Sequence, residues 1–100
     1  MPWAILTVKN QSGTNSNITS VPVTPSAPVT ILAANPNRVK AVIYYPDSTV
    51  LYIKLGSGVS TTNWTYKLAS SQTLEIINWS GTITAIKGSG NSTLNITEIT

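Results

Sequence analysis

The side chains that most often perform acid–base chemistry are rare in this sequence. It has three acidic residues, Asp47, Glu75 and Glu98, and no histidine. Hydrolysis by paired carboxylates needs two acids that converge on one cleft, and nothing in the spacing of these residues brings a pair together. A serine–lysine pair is compatible with the composition, but no nucleophile motif of the form G-x-S-x-G occurs. The sequence therefore predicts a protein that is not an enzyme and has no catalytic residues.

Ligands for metals and cofactors are equally scarce. Without cysteine or histidine, the chain forms neither a disulfide nor a thiolate metal site, and it lacks the commonest metal-binding side chain. Two glycine-rich stretches, KLGSG at residues 54–58 and KGSG at residues 87–90, have the composition of phosphate-binding loops. A phosphate loop opens a helix, whereas strand-like residues follow both stretches. We therefore interpret both as turns in which glycine supplies positive φ, and we predict no cofactor and no metal.

The aromatic residues indicate binding rather than catalysis. All seven are tyrosine or tryptophan, and none is phenylalanine. Tyrosine and tryptophan keep one polar end in contact with water and are enriched at protein interfaces. Together with the sparse charge, this bias predicts a surface that is covered by other subunits. The candidate interface residues are Trp3, Ile5, Leu6, Tyr44, Tyr52, Trp64, Tyr66 and Trp79.

Two other uses of the same side chains remain open at this point. Stacking of a sugar ring on Trp64 or Trp79 would serve a carbohydrate-binding protein. Alternation of lysine with aromatic residues at 52–54 and 66–67 suits single-stranded nucleic acid, and it suits equally an amphipathic strand whose outer face is wet. The net charge is only +3 and its cations are scattered without a basic run, so we predict no nucleic-acid binding.

The elements that must position these side chains are β-strands. Only 9% of the residues are charged, against about 25% in an average domain, and threonine, serine and asparagine take their place. Threonine, valine and isoleucine favour strands, and no window has the period of a helix. At 100 residues, the chain has the length of one domain. Its apolar start is too short to span a membrane and lacks the features of a signal peptide, so we predict no membrane contact and no secretion.

Residues 1–28 are predicted to be an extended N-terminal arm. An apolar run at residues 3–8 is followed by a stretch without large apolar side chains, at residues 11–17. Three prolines then recur at every third position up to residue 28. Prolines at this spacing favour an extended backbone and exclude a central strand. Because an exposed apolar run is unfavourable in water, we predict that the arm acts between subunits.

Residues 29–100 are predicted to form the folded domain. The fold class is all-β: one antiparallel β-sandwich, of jelly-roll or immunoglobulin-like topology, with about 7–8 strands. Segments 38–45 and 50–55 alternate most regularly and flank a turn at residues 46–48, so we expect them to pair as a hairpin. The residues that we expect to be largely buried are Val39, Ile43, Leu51, Ile53, Leu55, Leu68, Ile83 and Ile96.

Five segments of this domain carry a resemblance to a known family. In chain order they are ILAANPNR (31–38), LYIKLGSG (51–58), TYKLA (65–69), LEI (74–76) and GTITAI (81–86). Together they resemble a small β-sandwich module of structural proteins in tailed-bacteriophage virions, including capsid decoration (cement) proteins and head or tail fibres. The resemblance covers residues 29–99, and the arm falls outside it. Segment 76–79, IINW, departs from the proline- and glycine-rich stretch of the family.

The resemblance implies a role in virion assembly, without catalytic or metal-binding residues. The leading hypothesis is a cement protein that bridges neighbouring major capsid subunits, as a homotrimer. Such a protein would be made in the host cytoplasm and located on the capsid surface. The alternatives are an adhesion module on a fibre or tail that binds a host-surface glycan, and a tail or neck adaptor. The expected protein partner is the major capsid protein or another virion protein.

Overall fold

The computed structural model describes residues 14–100, and within this range the chain forms eight β-strands and no helix. No helix long and apolar enough to cross a membrane is therefore present among residues 14–100. The strands are β1 (Ser16–Val23), β2 (Val29–Leu32), β3 (Lys40–Tyr45), β4 (Leu51–Leu55), β5 (Tyr66–Leu68), β6 (Gln72–Ile77), β7 (Ile83–Lys87) and β8 (Ser92–Ile99).

The strands form two four-stranded sheets. The first sheet has the order β1-β8-β3-β6 and the second has the order β2-β7-β4-β5, and all paired strands are antiparallel. The chain passes from one sheet to the other at every connection except that between β4 and β5. This strand order is that of a jelly roll, in which two Greek keys build an eight-stranded sandwich. The prediction of an all-β antiparallel sandwich is confirmed, and of the two predicted topologies the structure has the jelly roll.

The predicted hairpin between β3 and β4 is wrong. Strand β3 pairs with β6 and β8 in the first sheet, whereas β4 pairs with β5 and β7 in the second. Residues 46–50 therefore cross from one sheet to the other, a separation of about 10 Å in a typical sandwich. The alternating pattern identifies which face of each strand is buried, and both strands do bury that face. It contains no information on the pairing partner, because either arrangement buries the same residues.

The predicted boundary between arm and domain at residue 28 is also wrong. Residues 16–23 form β1, which pairs with β8 along its whole length, from Ser16 opposite Ile99 to Val23 opposite Ser92. Val23 is fully buried in the core. Proline at position 22 is tolerated because β1 is an edge strand, where one side of the backbone has no ladder to complete. The predicted apolar run at residues 3–8 lies outside the described residues.

The core lies between the two sheets and largely matches the sequence prediction. Six of the eight predicted core residues are buried, and Tyr45, Leu94 and Ile76 join them. Val39 and Leu55 are only half-buried, because Val39 precedes the first residue of β3 and Leu55 is the last residue of β4. The six that are buried are Ile43, Leu51, Ile53, Leu68, Ile83 and Ile96.

Candidate interaction surfaces

Arg38 is a buried cation that links β8 to two connecting segments at one end of the sandwich. Its Nε donates to Oε2 of Glu98 at 2.9 Å, which forms an ion pair with a fully buried guanidinium. Its Nη1 donates to the carbonyl oxygens of Trp79 and Gly81, at 3.1 and 2.8 Å, and its Nη2 donates to the carbonyl oxygen of Ala33. All three nitrogens of the guanidinium are thus occupied within the chain, so Arg38 stabilises the fold and is not available to a ligand.

Lys87 is a second buried cation. It is the last residue of β7 and contacts Ser92 at the start of β8, whereas Arg38 contacts Glu98 near the end of β8. Its side chain is 1% exposed, and its ammonium lies 4.6 Å from the ring centroid of Tyr45. Nζ donates to Oγ1 of Thr49 at 2.6 Å, to Oγ of Ser92 at 2.8 Å and to the hydroxyl of Tyr45. The hydroxyl of Ser92 in turn donates to the carboxylate of Asp47. This cluster ties the connection between β3 and β4 to the start of β8.

The cluster contains a serine and a lysine in contact, the pair of residues with which the composition is compatible. Both are buried and bonded to other groups, so a substrate cannot reach them. Ser92 and Lys87 are both buried. A serine nucleophile needs access to substrate and a neighbouring base that takes its proton. Here the ammonium has three oxygen partners and the serine proton is directed to Asp47. Residues 14–100 contain no group of three or more acidic, histidine or cysteine side chains placed to hold a metal ion.

The glycine-rich stretches form turns rather than phosphate loops. Gly56 and Gly58 have φ of 113° and 83°, and Gly90 has φ of 69°. These are left-handed conformations that residues with a Cβ seldom adopt. Strand β5 follows the first stretch and β8 follows the second, so neither stretch has a helix N-terminus to receive an anion.

The outer side of the first sheet carries several apolar side chains among serine, threonine and asparagine. Three of the four large apolar side chains that are exposed within residues 14–100 lie on it: Ile18 (64% exposed), Tyr44 (44%) and Ile77 (50%). The half-buried Val42 and Ile99 point to the same outer side of the sheet. Ile99 and Ile77 are both opposite Lys40, and Val42 and Ile18 are both opposite Thr97. We call these five residues the apolar face. The charges on this side of the sheet pair with each other, with Nζ of Lys40 3.7 Å from Oε2 of Glu75.

The described part of the chain begins with Thr14 at a corner of the apolar face, and we call residues 1–13 the N-terminal segment. The amide of Thr14 donates to the carbonyl oxygen of Thr100 at 3.0 Å, and the amide of Thr100 donates to that of Asn15 at 2.9 Å. The next residues of the two strands, Ser16 and Ile99, are opposite each other. Residues 1–13 are therefore attached beside Ile99. Strands β1 and β6 are the two edge strands of the first sheet, and no other strand within residues 14–100 pairs with their outer sides.

The outer face of the second sheet is basic and aromatic. The rings of Tyr52 and Trp64 meet with their centroids 5.8 Å apart at an interplanar angle of 46°. Lys67 is opposite Tyr52 on the neighbouring strand, and Lys54 follows Tyr52 by two residues on the same side of β4. Trp64 is 42% exposed. We call these four residues the basic aromatic face. Neither of its lysines has an ion-pair partner within residues 14–100.

The predicted interface residues are distributed over different parts of the molecule. Tyr44 belongs to the apolar face, and Tyr52 and Trp64 belong to the basic aromatic face. Tyr66 is half-buried against the core. Trp3, Ile5 and Leu6 lie outside the described residues.

Trp79 performs a structural role that the sequence did not suggest. Its indole Nε1 donates to the carbonyl oxygen of Thr82 at 3.0 Å, and its ring packs partly against the core. The ring also lies so close to Gly81 that a Cβ at that position would be 2.8 Å from Cζ2 of the indole. Position 81 therefore needs glycine, because a Cβ there would clash with the indole ring of Trp79.

The buried cations were not identified by the sequence analysis, although one signal was present. Lys87 follows Ile83 and Ala85 at intervals of two residues on β7. Side chains at that interval lie on the same side of a strand, so the alternation predicts that Lys87 points into the core. For Arg38 no such signal exists, because it lies outside the strands and its partners come from three separate segments.

Comparison with known proteins yields similarity of fold without similarity of sequence. No family model matches the chain. No curated protein matches it. Among solved structures, an HTH_3 family transcriptional regulator from Vibrio cholerae is similar to 85% of this chain with a TM-score of 0.60 and 6% identity. The chain spans only 43% of the length of that regulator. A structure described as Bacillus endospore appendages that form a novel family of disulfide-linked pili is similar over 85% of both chains, with a TM-score of 0.45 and 14% identity. At these identities the likeness to the regulator supports the fold alone.

Proposed function

We propose that the protein is a non-catalytic structural subunit of a tailed-bacteriophage virion, specifically a capsid decoration (cement) protein. It binds across the seams between major capsid subunits as a homotrimer and stabilises the head. The observation that carries this proposal is the apolar face, on which Ile18, Tyr44 and Ile77 remain exposed to water. The resemblance in residues 29–99 supplies the class of particle.

The energetics of the apolar face indicate that it acts together with other contacts. Burying a large apolar side chain completely is worth about 1.5–3 kcal/mol, so each of these half-exposed side chains contributes about 1 kcal/mol. Association of two proteins costs an estimated 4–15 kcal/mol in lost translational and rotational freedom. The three exposed side chains of the face are therefore too few to hold a stable complex by themselves. A further apolar contribution is needed.

The N-terminal segment is the proposed source of that contribution. Its sequence contains Trp3, Ile5 and Leu6, and the segment is attached at the corner of the apolar face. Addition of an extended segment to a free sheet edge uses backbone hydrogen bonds for affinity and alternate side chains for specificity. The edge strands β1 and β6, beside which the described part of the chain has no further strand, border the apolar face of each subunit. In the proposed mechanism, the segment of one subunit lies along such an edge of its neighbour or on the capsid, and the process is passive.

The jelly roll is compatible with this role but does not select it. Jelly rolls occur in viral capsid proteins, lectins and cupins, and a fold of this kind carries many functions. The choice among them rests on the surfaces. A protein that works by burial of a broad, weakly charged face has no need of a catalytic or metal-binding cluster. We propose the capsid surface as its location, after synthesis in the host cytoplasm.

Mutation of the apolar face tests this proposal. The variant Ile18→Ser/Ile77→Ser removes two exposed side chains and keeps the core intact, and Trp64→Ser on the second sheet is its control. Multi-angle light scattering measures the mass of each protein, and cosedimentation with heads of the phage that carries the gene measures binding. We expect the double variant to be monomeric and unbound, and the control to trimerise and bind. A double variant that still trimerises and binds the heads would contradict the proposal.

A second candidate function is an adhesion module on a fibre or tail that binds a host-surface glycan. The contact between Tyr52 and Trp64 favours it, because two adjacent aromatic side chains provide a surface on which a sugar ring packs. The two candidates use opposite faces of the sandwich. A chain that binds sugar without self-association would support the second candidate and exclude the first. A tail or neck adaptor, the remaining alternative, shares the assembly mechanism and differs only in location.

A further inference from the structure

We infer that the basic aromatic face binds an acidic saccharide, with a sugar ring against Trp64 and Tyr52 and an anionic substituent of that sugar between Lys54 and Lys67. This inference deepens the second candidate function by naming the class of glycan. It does not depend on the assembly role, because it uses the other sheet.

The distribution of charge identifies the ligand as anionic. Residues 14–100 carry five cations and three acids. Glu98 pairs with Arg38, and Glu75 pairs with Lys40. The carboxylate of Asp47 accepts a hydrogen bond from the hydroxyl of Ser92, which in turn accepts one from Lys87. The two cations left over are Lys54 and Lys67, so the excess positive charge of the described domain is concentrated on one face.

The geometry of the face places these cations around the aromatic rings. Lys67 and Tyr52 are register partners on antiparallel strands, whose Cβ atoms lie about 4.5–5.5 Å apart in such pairs. Lys54 lies on the other side of Tyr52 along β4. A sugar that packs on the rings would therefore have Lys67 across the strand pair and Lys54 along β4, both on the same side of the sheet. A charge-assisted hydrogen bond from lysine is stronger than a neutral one, which favours an acidic over a neutral sugar.

The small number of cations argues against single-stranded nucleic acid as the ligand. Proteins that bind it combine stacking rings with a positively charged groove that follows the backbone over several nucleotides. Each neutralised phosphate needs its own cation. The face has two unpaired lysines and one closely spaced ring pair, which matches a single charged sugar and its neighbours better than a charged strand.

Titration calorimetry with the full chain tests the inference. The probes are oligogalacturonate as the acidic saccharide, a galacto-oligosaccharide of equal length as the neutral one, and oligothymidylate as the nucleic acid. The variants are Lys54→Gln/Lys67→Gln and Trp64→Ala. The matched control is Lys40→Gln, a cation that is paired on the opposite face.

We expect oligogalacturonate to bind more tightly than the other two probes. The affinity should fall about tenfold or more in each of the two variants, because each loses at least one charge-assisted or stacking contact, and the Lys40→Gln control should leave it unchanged. Binding should also weaken as salt is raised. Absence of binding, equal binding of the neutral sugar, or an equal loss in the Lys40→Gln control would overturn the inference. Tighter binding of oligothymidylate would overturn it in favour of nucleic acid. The variants change only residues at the second sheet, whereas the assembly proposal uses the first sheet, so failure of this inference is distinguishable from failure of the assembly proposal.

Discussion

The two outer faces of the sandwich have the same architecture and opposite surface chemistry. On the first sheet, the lysine at position 40 is paired with Glu75, and the large apolar side chains that are exposed are isoleucine and tyrosine. On the second sheet, the lysines are unpaired and flank two aromatic rings. A face that leaves apolar area exposed and cancels its charges suits a protein partner that excludes water. A face that leaves its charges free suits a hydrated, anionic ligand.

The two faces are held apart by the folded sandwich, and the largest expected effect on its stability comes from the buried ion pair of Arg38. Replacing Arg38 with methionine should destabilise the protein by about 3–5 kcal/mol, because Glu98 and three carbonyl groups lose their buried partner. Replacing Lys40 with methionine, which breaks an exposed pair, should change stability by less than about 1 kcal/mol. Urea unfolding followed by circular dichroism measures both. Equal effects of the two changes would mean that Arg38 is not buried as described.

The assignment of residues to inner and outer faces is tested by neighbours on one strand. Ile53 is fully buried, whereas Tyr52 belongs to the basic aromatic face. We expect Ile53→Ala to cost about 2–5 kcal/mol of unfolding free energy, the range for a buried isoleucine. Tyr52→Ala, its control, should cost clearly less. If Ile53→Ala costs below about 1 kcal/mol, the register of β4 is displaced by one residue, and the side chains assigned to its inner and outer sides are exchanged.

The N-terminal segment should affect assembly with little effect on folding. Deleting residues 2–13 leaves every described strand in place, so we expect a folded monomer with a β spectrum. Deleting residues 1–24 is the informative contrast, because it also removes β1 and its core residue Val23. That chain should unfold at lower urea concentration or aggregate. Light scattering and circular dichroism distinguish the cases. A deletion of residues 2–13 that trimerises like the full chain would remove the segment from the assembly mechanism.

The sequence was sufficient to predict strands and their buried faces. Alternation on β3 and β4 correctly assigns Ile43, Leu51 and Ile53 to the core, because a half-buried strand has a period of two residues. It was not sufficient to predict pairing. The same alternation is satisfied whether β3 and β4 form a hairpin or face each other across the core, and the choice depends on contacts with β6, β7 and β8.

The edge strand and the buried cations were missed for a different reason. Proline at position 22 suggests an arm when only local propensity is considered, but an edge strand accepts it. Arg38 and Lys87 are charged residues whose burial depends on oxygen partners brought together by the tertiary fold. The two outer faces could be partly anticipated: Tyr44, Tyr52 and Trp64 were predicted as interface residues. That they lie on opposite sheets follows only from the strand order.

The central claim, that the apolar face is the one buried in the particle, is tested most directly by oxidative footprinting of the assembled virion. Tyr44 and Trp64 are almost equally exposed in the isolated domain, at 44% and 42%, and they lie on opposite sheets. Hydroxyl-radical oxidation of each is measured by peptide mass spectrometry in the free chain and in the particle. We expect assembly to protect Tyr44 strongly and to leave Trp64 reactive. Protection of Trp64 with Tyr44 still reactive, or equal reactivity of both before and after assembly, would contradict it.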